Sequence, residues 1–224
     1  MNRNGYMATA VLALTLVFSL GFAQEAPLLL ISWRALTYVP PGFSGKALPI
    51  ENSVVEAAVE LVDRGSPINT AGYPIYWYLN GKYLEGGRGL RSVKFPVPRF
   101  GDRFDLRAEI SGYKGASPTK TVRVPVVRPE AVISTPLSGN NFSSLSTEFR
   151  ALPYFFNVTK LSDLVFRWRV NDEAVASTEN PDGLTVNLDP TTPPGFKTRI
   201  ELSIQNPRNV LEGDANSLEL TFVK

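Results

Sequence analysis

The chain has 224 residues, with 23 Lys and Arg against 21 Asp and Glu, a net charge of +2, and neither histidine nor cysteine. Those two absences exclude Ser-His-Asp and Cys-His nucleophile systems, imidazole acid–base catalysis, Cys/His zinc sites, thiolate clusters and disulfides. Near-neutrality gives no electrostatic case for nucleic acid, and 43% apolar residues suffice for one or two globular cores.

Between Arg3 and Glu25 no residue is charged, and 7–22 is apolar apart from Thr9, Thr15 and Ser19. A basic start, an apolar centre and the small residues Gly21 and Ala23 give the pattern of a secretory signal peptide over 1–23. The same 21 uncharged residues also meet the roughly 20 needed to cross a bilayer, so a retained anchor is the alternative. Either reading exports the rest to the periplasm, cell surface or medium. Membrane contact is then expected only through residues 1–23, if they are uncleaved. Export without disulfides fits a bacterial protein whose domains rely on their cores.

The exported part alternates apolar and polar residues in short runs split by Gly, Pro, Asn and Asp, which predicts an all-β fold. In chain order the first strands are expected at 28–33, 53–62, 74–79, 90–97, 103–110 and 119–127. The second set is expected at 131–135, 147–156, 164–170, 184–188, 198–205 and 217–223. A brief strand near 82–84 and another near 174–176 would bring each set to seven.

The two sets are copies of one pattern. Ile75-Tyr76-Trp77-Tyr78-Leu79 before Asn80-Gly81 corresponds to Phe166-Arg167-Trp168-Arg169-Val170 before Asn171-Asp172. Asn-Gly is a strong two-residue hairpin signal and Asn-Asp a weaker one. Leu106, Ala108 and Ile110 correspond to Ile200, Leu202 and Ile204, and Val122, Val124 and Val126 to Leu218, Leu220 and Phe222. A further match, Val55 to Leu61 against Phe149 to Phe155, is weakened by Pro153. The expected fold is therefore two tandem immunoglobulin-like antiparallel β-sandwiches, at 27–128 and 131–224, after an N-terminal signal or apolar helix. Arg128-Pro129-Glu130 is a short linker that limits swing. Trp77 and Trp168 are expected in the two cores. Without cysteine, Ala57/Ala108 and Ala151/Leu202 would occupy the layer of the usual inter-sheet disulfide.

Trp77-Tyr78-Leu79-Asn80-Gly81 with residues 101–110 resembles bacterial surface domains of the PKD and immunoglobulin-like class. The stretch from Trp33 to Pro49, with Tyr38-Val39-Pro40-Pro41-Gly42-Phe43 at its centre, is similar to a segment of exported proteins of candidate-phyla bacteria encoded near type IV pilus genes. That resemblance implies an envelope or pilus-associated role and no catalytic residue.

Two surfaces are candidates for binding. Residues 33–49 form a long loop for a compact sandwich and carry Trp33, Tyr38 and Phe43. Such a loop either docks a partner chain or glycan through its aromatics, or folds back over its own sandwich. The outward face of the middle strands shows Tyr76 and Tyr78, then Asp105, Arg107, Glu109 and Arg123. The second copy shows Arg167, Arg169, Arg199, Glu201 and Glu219. Opposite charges across neighbouring strands read as a solvated ladder, or, in the first copy, as a glycan platform. Acidic pairs such as Asp102/Asp105 fall at strand ends and turns, where acids are common. Asp214 is read as part of a turn.

No catalytic residue, metal site or cofactor is expected. The expected function is a non-catalytic, structural or adhesive module of the cell envelope that works through protein–protein contacts with an envelope or pilus protein. A carbohydrate-binding module and a periplasmic pilus-subunit chaperone are the alternatives.

Overall fold

A computed structural model describes residues 26–99, 101–176 and 180–223. The segment 1–23, read as signal or anchor, lies outside the described residues. In chain order the first half contains β1 (Leu28–Ala35), β2 (Val54–Asp63), β3 (Ser66–Pro67), β4 (Pro74–Leu79), β5 (Lys82–Arg88), β6 (Ser92–Pro96), β7 (Arg103–Ile110) and β8 (Thr119–Pro125). The second half contains β9 (Glu130–Ser134), β10 (Asn141–Phe142), β11 (Ser146–Tyr154), β12 (Val165–Val170), β13 (Glu173–Ala174), β14 (Gly183–Asn187), β15 (Lys197–Gln205) and β16 (Gly213–Phe222). One 3-10 turn, Leu161–Asp163, interrupts them. Among the described residues no helix is long and apolar enough to cross a membrane.

In the first half β2 is central to one sheet, with β1 on one flank and β3 and β6 on the other. The facing sheet has the order β5-β4-β7-β8. The second half repeats the plan: β14-β11-β9 faces β10-β16-β15-β12-β13. Among the described residues every strand pairing is antiparallel except the short β10–β16 contact. These are two immunoglobulin-like sandwiches. The period-2 apolar pattern drives both, because alternate residues of a strand point to one face. Thus Val55, Ala57, Val59 and Leu61 of β2 and Phe104, Leu106, Ala108 and Ile110 of β7 are buried. They belong to one core with Trp77; Phe149, Ala151, Ile200, Leu202 and Ile204 belong to another with Trp168.

The repeat extends to single hydrogen bonds. Trp77 donates its indole N–H to the Leu90 carbonyl, and Trp168 donates to the Pro181 carbonyl, both at 3.1 Å. Trp77 lies opposite Ala108, and Trp168 opposite Leu202. Ala57, Ala108, Ala151 and Leu202 are all buried, so small and aliphatic side chains fill the layer where a disulfide was missing. Both hairpins hold two successive left-handed residues: Asn80 and Gly81 at φ 48° and 77°, Asn171 and Asp172 at 49° and 67°. That is the backbone of the two-residue turn whose twist matches the strands.

Several boundaries differ from expectation. β16 starts at Gly213, not 217, because Asp214, Ala215 and Asn216 keep pairing with β15 although they carry no apolar alternation. Asp214 is therefore a strand residue, which corrects its reading as part of a turn. β5 runs to Arg88 although Gly86 and Gly87 have low strand propensity. A Cβ on Gly86 would lie 2.5 Å from Tyr76 Cδ1, so the tyrosine ring rests on the bare glycine backbone. Pro153 is accommodated inside β11 where only β9 still flanks it, β14 pairing no further than Arg150.

Candidate functional site

The 33–49 segment is built outward from β1. Trp33 is half-buried against the first core, and the Lys46 ammonium sits 3.4 Å from its ring centroid. Burial at that site lowers the lysine pKa. Thr37 is buried and donates its hydroxyl to the Leu48 carbonyl at 2.8 Å, closing the loop at its base. Beyond that point the segment leaves its own sandwich. Tyr38 forms an isolated antiparallel bridge with Phe156: its N–H donates to the Phe156 carbonyl and its carbonyl accepts from Phe155 N–H, both at 2.7 Å. Its ring packs on the second core. Burial, and then the nearby Asp182 carboxylate, raise its hydroxyl pKa. Phe43 meets Tyr154 and Phe155 edge-on, with centroids 5.4 and 6.2 Å apart. Phe155 takes φ 63°, an uncommon conformation for a bulky residue, to present both its N–H and its ring to the segment.

The reading of this segment as a loop folded back over its own sandwich is thereby corrected. Its base closes on the first sandwich, and its aromatic tip clamps the second. The reason is local: after β11 ends at Tyr154, the N–H of Phe155 and the carbonyl of Phe156 are left without a sheet neighbour, and Tyr38 supplies one. Of the three aromatics, Trp33 stays with the first core, while Tyr38 and Phe43 reach the second sandwich. Phe43 remains 37% exposed.

Further contacts order each half at the junction, and of these the Asn157–Asn52 hydrogen bond crosses between the halves. Val127 N–H donates to the Pro49 carbonyl at 2.9 Å. Asp214 accepts from Ala131 N–H at 2.7 Å, and Asn216 donates to the Ala131 carbonyl at 2.9 Å, so the first residue after the linker is gripped from β16. Glu212, buried, accepts from Asn157 N–H at 2.5 Å, and the Asn157 side chain donates to the Asn52 carbonyl at 3.5 Å. A groove of about 630 Å³ runs along this junction, lined by Ile50, Asn52, Asp102, Leu211, Glu212 and Asp214 among others. Among the described residues no group of three or more His, Cys, Asp or Glu is placed to hold a metal ion.

The second candidate surface is the outward face of β4, β5 and β7. Tyr76 lies opposite Glu109, and Tyr78 opposite Arg107. The Arg107 guanidinium stacks 3.8 Å from the Tyr78 ring centroid and also reaches Glu109 at 3.5 Å. Tyr83 of β5, missed in the sequence, joins the face edge-on to Tyr78 at 6.1 Å and is 62% exposed. The Lys82-Tyr83 pair after Asn-Gly was its only sequence signal, and the expected short β5 concealed it. Asp105 pairs with Arg123 at 3.1 Å. In the second sandwich Arg199 lies opposite Glu219, yet its guanidinium bonds Glu201 at 2.9 Å while Lys197 takes Glu219 at 2.9 Å. The charge ladder is thus present with exchanged partners. Trp77 and Trp168 are buried and take no part in either surface.

Fold and surfaces together define a tandem immunoglobulin-like β-sandwich module. No protein-family model matches the chain, and no curated protein does. Among solved structures, similarity is found to the fibronectin(III)-like modules of Clostridium thermocellum CbhA, at 11% identity and TM-score 0.30, covering 84% of this chain and 94% of that one. It is also found to three N-terminal domains of the bacteriophage RB49 highly immunogenic outer capsid protein, at 10% identity and TM-score 0.43, covering 88% and 59%. The tandem Ig repeats of Dlar match at 11% identity and TM-score 0.27, covering 88% and 97%. At these scores the assignment of the fold rests on the chain's own topology.

Proposed function

We propose that the protein is a non-catalytic, extracytoplasmic structural or adhesive module of the cell envelope that acts through protein–protein contacts, in association with a pilus or another envelope protein. The observation that carries this reading is the clamp of Tyr38 and Phe43 on Tyr154, Phe155 and Phe156. It joins the two sandwiches, which suits a spacer or scaffold that must hold a surface at a set distance. The aromatic tip is consumed by that clamp, so the surface offered to a partner is the face of Tyr76, Tyr78 and Tyr83 with Arg107. Tyr83, exposed beside the half-buried Tyr76 and Tyr78, brings contact area at low entropic cost. The test is crosslinking on intact cells followed by mass spectrometry, with Tyr83→Ala as the comparison. Capture of an envelope or pilus protein that depends on Tyr83 supports the reading; recovery of the chain only in the cytoplasm overturns it.

A second reading, a glycan-binding module, is favoured by the exposed Tyr83 ring beside the polar heads of Arg107 and Glu109. Glycan-array binding lost in Tyr83→Ala and Tyr78→Ala would select it over the first. Capture of an incomplete pilus subunit along an edge strand would instead select a periplasmic chaperone role.

A further inference from the structure

The two halves of the chain carry opposite charge. Residues 26–128 contain fourteen Lys and Arg against eight Asp and Glu, and residues 129–224 contain eight against twelve. Four of the cations gather at the end of the first sandwich that lies farthest from the linker. Arg64 occupies the turn between β2 and β3, Arg88 ends β5, Lys114 follows β7, and Lys120 is near the start of β8. The carboxylate among them, Asp63, is buried and already bonded to Tyr113 and Lys114, at 2.6 and 2.5 Å. Of the neighbouring carboxylates, Glu109 lies opposite Thr119, beside Lys120, and is paired with Arg107 at 3.5 Å, and Glu60 lies opposite Leu30. The groove at the linker end is mixed in charge, with Asp102, Glu212 and Asp214 beside Arg128.

The chain enters the first sandwich at this same basic end. Leu28 pairs with Val62, the last residue but one of β2. Leu28 and Leu30 point outward and are 53% and 41% exposed. Three residues before Leu28 stands Glu25, and the apolar run 7–22 precedes it in the sequence. Cations and outward leucines are the composition of a surface that meets anionic lipid.

We propose that this end of the first sandwich is seated on an anionic lipid surface. Arg64, Arg88, Lys114 and Lys120 face the headgroups, and Leu28 and Leu30 sit at the interface. The clamp then holds the acidic second sandwich away from the bilayer, where like charge also repels it. The inference rests on the extracytoplasmic reading above and adds the orientation and the lipid class. A basic end could also meet the acidic sandwich of a second copy. The apolar run next to β1 favours lipid, because it supplies a membrane-seeking segment within a few residues of this end.

The absence of native cysteine makes the test direct. Single cysteines are placed on the full chain by Ser66→Cys, at the basic end, and Ser217→Cys, on β16, and each is labelled with a fluorophore. The labelled chains are added to phosphatidylcholine vesicles with and without phosphatidylglycerol, each carrying a headgroup quencher. The expected result is quenching at position 66 several-fold above that at 217 in phosphatidylglycerol vesicles. It should fall as salt is raised and fall to the level at 217 in Arg64→Glu/Lys120→Glu. Each basic residue near an anionic leaflet strengthens such contact about fivefold. The salt series on the unmodified charges keeps the test valid if the charge variant misfolds. Equal quenching at both positions, or quenching indifferent to phosphatidylglycerol, overturns the proposal. So does concentration-dependent energy transfer between labels at 66 and 217 without lipid, which would show copies packing head to tail. An envelope-located chain with no lipid contact at position 66 would defeat this inference alone and leave the proposed function standing.

Discussion

Tyr38 and Phe156 pair across the boundary between the two sandwiches, the amide of one donating to the carbonyl of the other at 2.7 Å. With Phe43 against Tyr154 and Phe155, this makes the long segment after β1 the mechanical joint of the protein. Tyr38→Ala with Phe43→Ala should cost about 2–4 kcal/mol of coupling, from truncating one part-buried and one more exposed aromatic. Calorimetry should show one unfolding transition in the parent chain and two in the variant. A single unshifted transition in the variant would show that the joint carries no energy.

The two tryptophans can be compared directly, because each donates to a carbonyl thirteen residues later in its own sandwich. Trp168→Phe keeps most of the ring but leaves the Pro181 carbonyl unpaired, at about 1–3 kcal/mol. Trp77→Ala opens a cavity in a fully buried site, at about 3–5 kcal/mol. Urea unfolding monitored at the remaining tryptophans measures both. Similar costs for the two substitutions would contradict the burial argument.

Asp63 sets a pH dependence at the basic end. Its hydrogen bonds from Lys114 and then Tyr113 hold its carboxyl below the ordinary aspartate value, and the same partner raises Lys114. A lowered acid contributes stability that is present above its unfolded pKa and lost as pH falls through its folded one. The loss is therefore expected below about pH 4. A raised lysine contributes stability that is complete below its unfolded pKa and lost as pH rises through the higher folded one, above about pH 10. Thermal melts across pH should fall off on both sides in the parent. In Asp63→Asn both limbs should flatten; an unchanged acid limb would assign it to other carboxylates.

Thr198 is buried, and its hydroxyl has no hydrogen-bond partner among the described residues. Thr198→Val replaces the hydroxyl by a methyl of the same shape and keeps the β-branched side chain that strands favour. The variant should be more stable by about 1 kcal/mol, because the cost of burying an unpaired hydroxyl is removed. A lower urea midpoint would mean that the hydroxyl is satisfied in solution.

The repeated frame was legible because its signals are local and periodic. Ile75-Tyr76-Trp77-Tyr78-Leu79 alternates cleanly and ends in Asn-Gly, and β4 and β7 begin and end where the sequence placed them. The second role of the hairpin asparagines was not legible. Asn80 accepts from Asp105 N–H and Asn171 from Arg199 N–H, at 2.9 and 2.8 Å, pinning the start of a strand 25 or 28 residues away. Nothing near Asn80 announces Asp105. The polar first half of β16 and the glycines of β5 were likewise hidden, since their pairing comes from a neighbour and not from their own pattern.

The sequence by itself determined that this is a chain without thiol or imidazole chemistry, built from two alternating-strand sandwiches around Trp77 and Trp168. Those conclusions need only composition and spacing, which no fold can change. Only the tertiary structure decided where the aromatic segment goes. Tyr38 and Phe43 could have met a partner or their own sandwich on sequence grounds. The choice was made by the unpaired backbone of Phe155 and Phe156, more than a hundred residues later, which offered the one thing a loop strand lacks: a neighbour to bond.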